Sequence, residues 1–151
     1  MLLNTKHFGE ININEEQIIT FSDGIPGFES LTKYSIIQTQ DPDSAFCWMQ
    51  STENAELAFA LVNPFMIKAD YEFELTQEKL DMLNIRAPEE VVVYAIVVIP
   101  EDVSKASMNL KAPIIINTTT KKGAQIIIDN SKYEIRNFIM DEIQKQSNNK
   151  D

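Results

Sequence analysis

Val91-Val92-Val93-Tyr94-Ala95-Ile96-Val97-Val98-Ile99, closed by Pro100, is the longest apolar run in the chain. It covers about half of the roughly 20 residues a membrane-crossing helix needs, and its β-branched and aromatic content suits a pleated strand. Shorter runs of the same character precede it: Gln17-Ile18-Ile19-Thr20-Phe21, Tyr34-Ser35-Ile36-Ile37-Gln38, Phe46-Cys47-Trp48-Met49-Gln50 and Leu57-Ala58-Phe59-Ala60-Leu61-Val62. Ile114-Ile115-Ile116 and Gln125-Ile126-Ile127-Ile128 follow it. Turn chemistry separates the runs at Asp23-Gly24, Pro26-Gly27, Asn63-Pro64, Ala87-Pro88, Pro100-Glu101-Asp102 and Lys121-Lys122-Gly123. Many short strands at fairly even spacing predict a mostly β chain: a compact, antiparallel, β-barrel-like single domain with one or two short helices. The Ile and Val runs lack in–out alternation, so both of their faces should be covered.

Two segments carry helical signals. Thr76 stands as an N-cap before Gln77-Glu78-Lys79-Leu80-Asp81-Met82-Leu83, with an acid in the first turn and Leu80 and Leu83 three apart. Near the C-terminus, Ile135, Phe138, Ile139 and Ile143 fall at helical spacing. The domain is expected over residues 1–146. Residues 147–151, Ser-Asn-Asn-Lys-Asp, have nothing to bury and should fray.

Charge narrows the function. The 23 acids against 13 bases give a formal net charge of −10, a surface that repels phosphate backbones and argues against direct nucleic-acid binding. Such a surface attracts a basic partner and speeds association at low salt. The single cysteine, Cys47, excludes an intrachain disulfide and lies among large apolar residues, where a thiol behaves as a small hydrophobe. Met1 to Lys6 lack the pattern of a secretory signal, and no membrane span is expected, so the location expected is cytoplasmic.

Catalytic motifs are missing from the pattern. The one histidine, His7, stands between Lys6 and Phe8 and suggests no Ser-His-Asp or Cys-His arrangement. No His or Cys pair has ligand spacing, the acids do not form a calcium loop, and the four glycines match no phosphate-binding fingerprint. Neither a metal nor a cofactor is expected, and the chain is expected not to be an enzyme. A carboxylate-based hydrolase would need two close acids with raised pKa values in a deep pocket.

Three segments stand out instead. In Phe21-Ser22-Asp23-Gly24-Ile25-Pro26-Gly27-Phe28-Glu29, Pro26 and Gly27 suit the two central positions of a type II turn. Ile25 and Phe28 then sit at its corners, as an inward plug or as a contact surface. In Asn109-Leu110-Lys111-Ala112-Pro113, Asn109 can bond its own backbone in a bend, and Pro113 belongs at a strand start or sheet edge. That edge is either open to a partner or blocked by the proline. In Asp70-Tyr71-Glu72-Phe73-Glu74, charge and aromatic residues alternate, so a strand would expose three acids and bury Tyr71 and Phe73. Seven acids against three bases lie between Lys68 and Glu90, which makes this segment the strongest docking candidate for a basic protein.

Taken in order, these segments resemble the flagellar assembly factor FliW family. The resemblance rests on Gly24-Ile25-Pro26-Gly27-Phe28, Leu57-Ala58-Phe59 leading to Asn63-Pro64, Asp70-Tyr71, and the strand ending at Pro100. It continues through Asn109-Leu110-Lys111-Ala112-Pro113-Ile114 and Gly123-Ala124-Gln125-Ile126-Ile127 to Tyr133, and so spans about Phe8 to Arg136. It implies a non-enzymatic β-barrel-like domain that binds and antagonises CsrA, a basic dimeric RNA-binding translational repressor. It also implies flagellin as a second partner, which titrates the factor away from CsrA until flagellin is exported. A flagellin-specific chaperone without a regulatory partner is the alternative. Partner-binding residues expected on this basis are Ile25, Phe28, Leu110 and Pro113 for apolar affinity, Asn109 for the bend, and Asp70 and Glu72 for electrostatic steering.

Overall fold

The computed structural model describes residues 1–41, 43–129 and 132–148. Its strands and helices are β1 (Leu2–Thr5), β2 (Gly9–Asn12), β3 (Ile19–Thr20), β4 (Lys33–Gln38), β5 (Phe46–Ser51), β6 (Ala58–Val62), α1 (Pro64–Ile67), α2 (Gln77–Met82), β7 (Val91–Val98), β8 (Ser107–Met108), β9 (Ile114–Asn117), β10 (Lys122–Gln125), β11 (Asn137–Phe138) and α3 (Ile139–Asn148). Seven strands, β3, β4, β5, β6, β7, β9 and β10, pair in that order and return to β3, closing a barrel. All of these pairings are antiparallel except the seam, where Lys122 of β10 faces Thr20 of β3 in parallel. Closure leaves the barrel strands no free edge along the ring. Strand β8 continues along β7 beyond β9, and β11 pairs with β8.

The Ile run shows why its lack of alternation was informative. Ile114 and Ile116 point into the barrel with Phe21, Tyr34, Cys47, Met49 and Leu61, while Ile115 points outward into a second cluster with Leu83 and Ile126. All four β9 residues are buried, because α2 and the segment leading into it cover the outer face. Each such isoleucine contributes about 1.5–3 kcal/mol by leaving water. A third cluster, built on Tyr71, Met108, Leu110, Tyr133 and Ile139, lies between the barrel wall, α1 and α3. Cys47 faces the interior, and burial pushes its thiol up to about 11 despite a hydrogen bond with Tyr94.

Local chemistry explains the helix positions. Thr76 caps α2 through its hydroxyl, which accepts from the Lys79 N–H at 3.3 Å. Helix α1 is a single turn that the Asn63-Pro64 turn signal did not suggest: Asn63 accepts from the Phe65 N–H at 3.0 Å and Pro64 takes the first helical position. The C-terminal helix begins at Ile139, not at Ile135. Asn137 and Phe138 pair with β8 instead, and Ile135 is left exposed. Residues 149–151 of the expected tail lie outside the described residues.

Outside the barrel, the β1–β2 hairpin is tied down by one buried side chain. Gln50 accepts from the Lys6 N–H at 3.0 Å, and its amide nitrogen, with two N–H bonds to give, lies 3.0, 3.2 and 3.1 Å from the carbonyl oxygens of Ser51, Ala55 and Leu57. His7 stacks beside Trp48, with ring centroids 4.0 Å apart. Among the described residues, no buried side-chain polar atom lacks a partner, and no helix is long and apolar enough to cross a membrane.

Candidate partner-binding surface

The surface begins with a bulge. Along β7, Val97 faces Met108 and Tyr94 faces Ile114, so five residues, 109–113, stand opposite only two, 95 and 96. The surplus residues leave the ladder. Asn109 holds their bend: its side-chain oxygen accepts from the Lys111 and Ala112 N–H groups at 3.1 and 3.0 Å. The chain itself then satisfies the bulge. Ile128 and Ile126 donate to the carbonyls of Lys111 and Pro113 at 2.9 and 3.0 Å, and Gln125 donates to Ala112 at 3.0 Å. Of the two possibilities for this edge, neither an open edge nor a merely blocked one is realised; residues 126–128 occupy it.

Above the bulge runs an acidic strap, residues 70–76. Asp70 lies in a turn and residues 71–76 join no ladder, so the strand expected over 70–74 is not formed. The alternation survives without the strand. Tyr71 is buried, Phe73 and Leu75 are half-buried, and Asp70, Glu72 and Glu74 are exposed. Tyrosine hydroxyls do the work of a neighbouring strand: Tyr71 donates to the Leu110 carbonyl at 2.7 Å, and Tyr133 accepts from the Glu72 N–H at 3.0 Å. The two rings meet edge to face, 4.7 Å between centroids.

Lys68 anchors the start of the strap. Its ammonium lies 3.3 Å from both Asp70 and Glu142, tying the strap to the first turn of α3. Burial pulls the Lys68 pKa down, but hydrogen bonds and the charges of Asp70 and Glu142 outweigh it and hold it above its ordinary value. The same hydrogen bond, with the ammonium's charge, holds the Asp70 carboxyl below the usual range. Glu29 is also lowered, by the backbone N–H groups of Gly27 and its own residue. Both shifted carboxylates therefore stay ionised at neutral pH, a state suited to attracting cations and not to donating protons.

Beside the strap lies an open groove of about 770 Å³. Residues 72–76 of the strap, Lys79, and residues 126–129 line it. Ile127 is 75% exposed, although it sits between buried Ile126 and Ile128.

The Ile-Pro-Gly-Phe turn is built at a separate place. Phe28 donates its N–H to the Ile25 carbonyl at 2.7 Å, and Gly27 has φ +91°, as a type II turn requires. The corners divide the two roles: Ile25 plugs the barrel at 2% exposure, while Phe28 stays at the surface, edge-on to Phe59 at 5.5 Å.

The structure thus brings Asp70, Glu72, Asn109, Leu110 and Pro113 into one region and leaves Ile25 and Phe28 in another. Ile25, Leu110 and Pro113 are buried, so their side chains offer no surface for apolar affinity in this conformation; their place is inside, supporting the turn and the bulge. Phe28, Asp70 and Glu72 are exposed. Sequence reasoning missed Ile127 and Asp129, since an unbroken Ile run signals burial and nothing in it marks which residue the bulge turns outward.

Comparison with known proteins sets this surface in context. Residues 2–139 match a family model described as FliW protein. The chain is 56% identical over 146 residues to the flagellar assembly factor FliW of Ruminiclostridium cellulolyticum, covering 97% of this chain and 99% of the relative. It is 46% identical to the flagellar assembly factor FliW of Alkaliphilus metalliredigens, with 96% and 90% covered. A crystal structure of the flagellar assembly factor FliW superposes with a TM-score of 0.85 at 30% identity, covering 92% of this chain and 96% of that one.

Proposed function

This chain belongs to the FliW family, and on that premise we propose that it is a non-catalytic cytoplasmic regulator of flagellum assembly. It binds and antagonises the RNA-binding repressor CsrA, and flagellin titrates it away. The observation that carries this reading is the exposure of Asp70, Glu72 and Glu74 along one strap of a chain with net charge −10. A basic RNA-binding protein is the partner such a strap would steer and hold.

Antagonism follows from the same charges. Carboxylates brought close to CsrA lower the positive potential that RNA requires, so the strap need not cover the RNA site itself. Asp70 and Glu72 supply the field, and Lys68 fixes where Asp70 stands. Phe28, 40% exposed on the separate turn, supplies apolar contact.

Calorimetric titration with CsrA tests the proposal. Binding that weakens as salt rises, and that the double substitution Asp70→Lys with Glu72→Lys diminishes, supports it. Binding of flagellin alone, with no heat on adding CsrA, would leave a flagellin-specific chaperone as the function.

A further inference from the structure

We propose that the groove between the strap and residues 127–129 receives an extended polypeptide segment of a partner, basic and apolar in alternation, which pairs with the backbone as an added strand. The inference rests on the partner-binding reading of this surface and specifies the kind of segment it takes.

The hydrogen-bond pattern is the first reason. Ile126 and Ile128 spend their N–H groups on the bulge, at Pro113 and Lys111. In an extended chain the residue between them faces the opposite way, so Ile127 turns its N–H and carbonyl away from the bulge. On the strap, the Glu72 N–H is taken by Tyr133, and by the same alternation the N–H groups of Phe73 and Leu75, which have no partner among the described residues, face the other way. Alternate unpaired backbone groups on both segments that line the groove are the setting in which a peptide adds as a strand.

Charge and shape select the occupant. Three carboxylates, Glu72, Glu74 and Asp129, line the groove against the single ammonium of Lys79. Phe73, Leu75 and the exposed Ile127 give it an apolar lining. An extended segment places alternate side chains on opposite sides, so apolar residues can meet Phe73 and Ile127 while lysines or arginines reach the acids. A helix would leave the backbone groups of both segments unpaired, which disfavours it here.

The test uses the full chain, 15N-labelled, with a hexapeptide alternating lysine and valine as the probe. Addition should move the amide signals of Phe73, Glu74, Leu75 and Ile127. A glutamate–valine hexapeptide should leave them in place. N-methylation of alternate probe amides, or the pair Glu72→Lys and Glu74→Lys on the exposed strap, should weaken binding by about tenfold or more. Amides that stay fixed at millimolar probe, or an N-methylated probe that binds equally well, would overturn the proposal. Shifts that depend on protein concentration alone would assign the groove to a second copy of this chain, and would also overturn it. A chain that ignores the probe yet binds CsrA keeps its proposed function and loses only this groove; the converse result separates the two the other way.

Discussion

The Tyr71 hydroxyl donates a 2.7 Å hydrogen bond to the Leu110 carbonyl, joining the acidic strap to the bulge 39 residues further along the chain. Neither segment is held in the barrel ladder at this point, so the contact positions one against the other. Placement of Asp70 and Glu72, which flank Tyr71, depends on it.

Tyr71→Phe keeps the ring against Tyr133 and Phe73 but leaves the Leu110 carbonyl buried without that donor. The expected cost is about 1–3 kcal/mol, read in urea denaturation. Strap amides should also exchange faster in hydrogen–deuterium exchange. Unchanged stability and exchange would mean that packing alone seats the strap.

Alkaline pH should destabilise the fold in a defined window. Burial raises the pKa of Tyr34, Tyr71 and Tyr94 above 10.0, helped by Glu53 at Tyr34, Tyr133 at Tyr71 and Cys47 at Tyr94. These phenols ionise more easily unfolded than folded, so their contribution is intact below pH 10 and declines as pH climbs through the raised folded values. Phenolate absorbance and circular dichroism, followed together, should change in concert above that point. Ionisation of these three tyrosines at their ordinary value with the fold intact would contradict the burial argument.

The two glycines of Gly24-Ile25-Pro26-Gly27-Phe28 should respond differently to alanine. At Gly27, φ +91°, an added Cβ meets nothing within 4 Å, so Gly27→Ala should cost only the backbone strain, about 1–2 kcal/mol. At Gly24, φ +68°, the Cβ would stand 2.5 Å from the Glu29 Cα. Backbone cannot step aside as a side chain can, and Gly24→Ala should be well below Gly27→Ala in thermal stability. Equal melting temperatures would show that the turn relaxes.

Much of this architecture was legible in local chemistry. The Thr76 cap, the type II turn and the two-sided burial of Ile114 to Ile116 follow from residue type and spacing. Partner choice does not. Nothing in Lys122 or Thr20 announces a parallel seam, and Pro64 fits a turn and a helix N-terminus equally well. The alternation of Asp70 to Glu74 told which side chains are exposed but not what bonds the backbone, because two tyrosine hydroxyls stand where a strand was expected. Ile135 has the spacing of a helix that the pairing of Asn137 and Phe138 with β8 delays. Ile25 is the inward plug that was one of two readings of its turn, whereas nothing in Leu110 or Pro113 told that their side chains are buried.

Antagonism is tested most directly by following labelled RNA bound to CsrA while this protein is added, then flagellin. RNA should be released, flagellin should restore its binding, and Asp70→Lys with Glu72→Lys should blunt the release most at low salt. RNA that stays bound to CsrA at saturating concentrations of this protein would contradict antagonism.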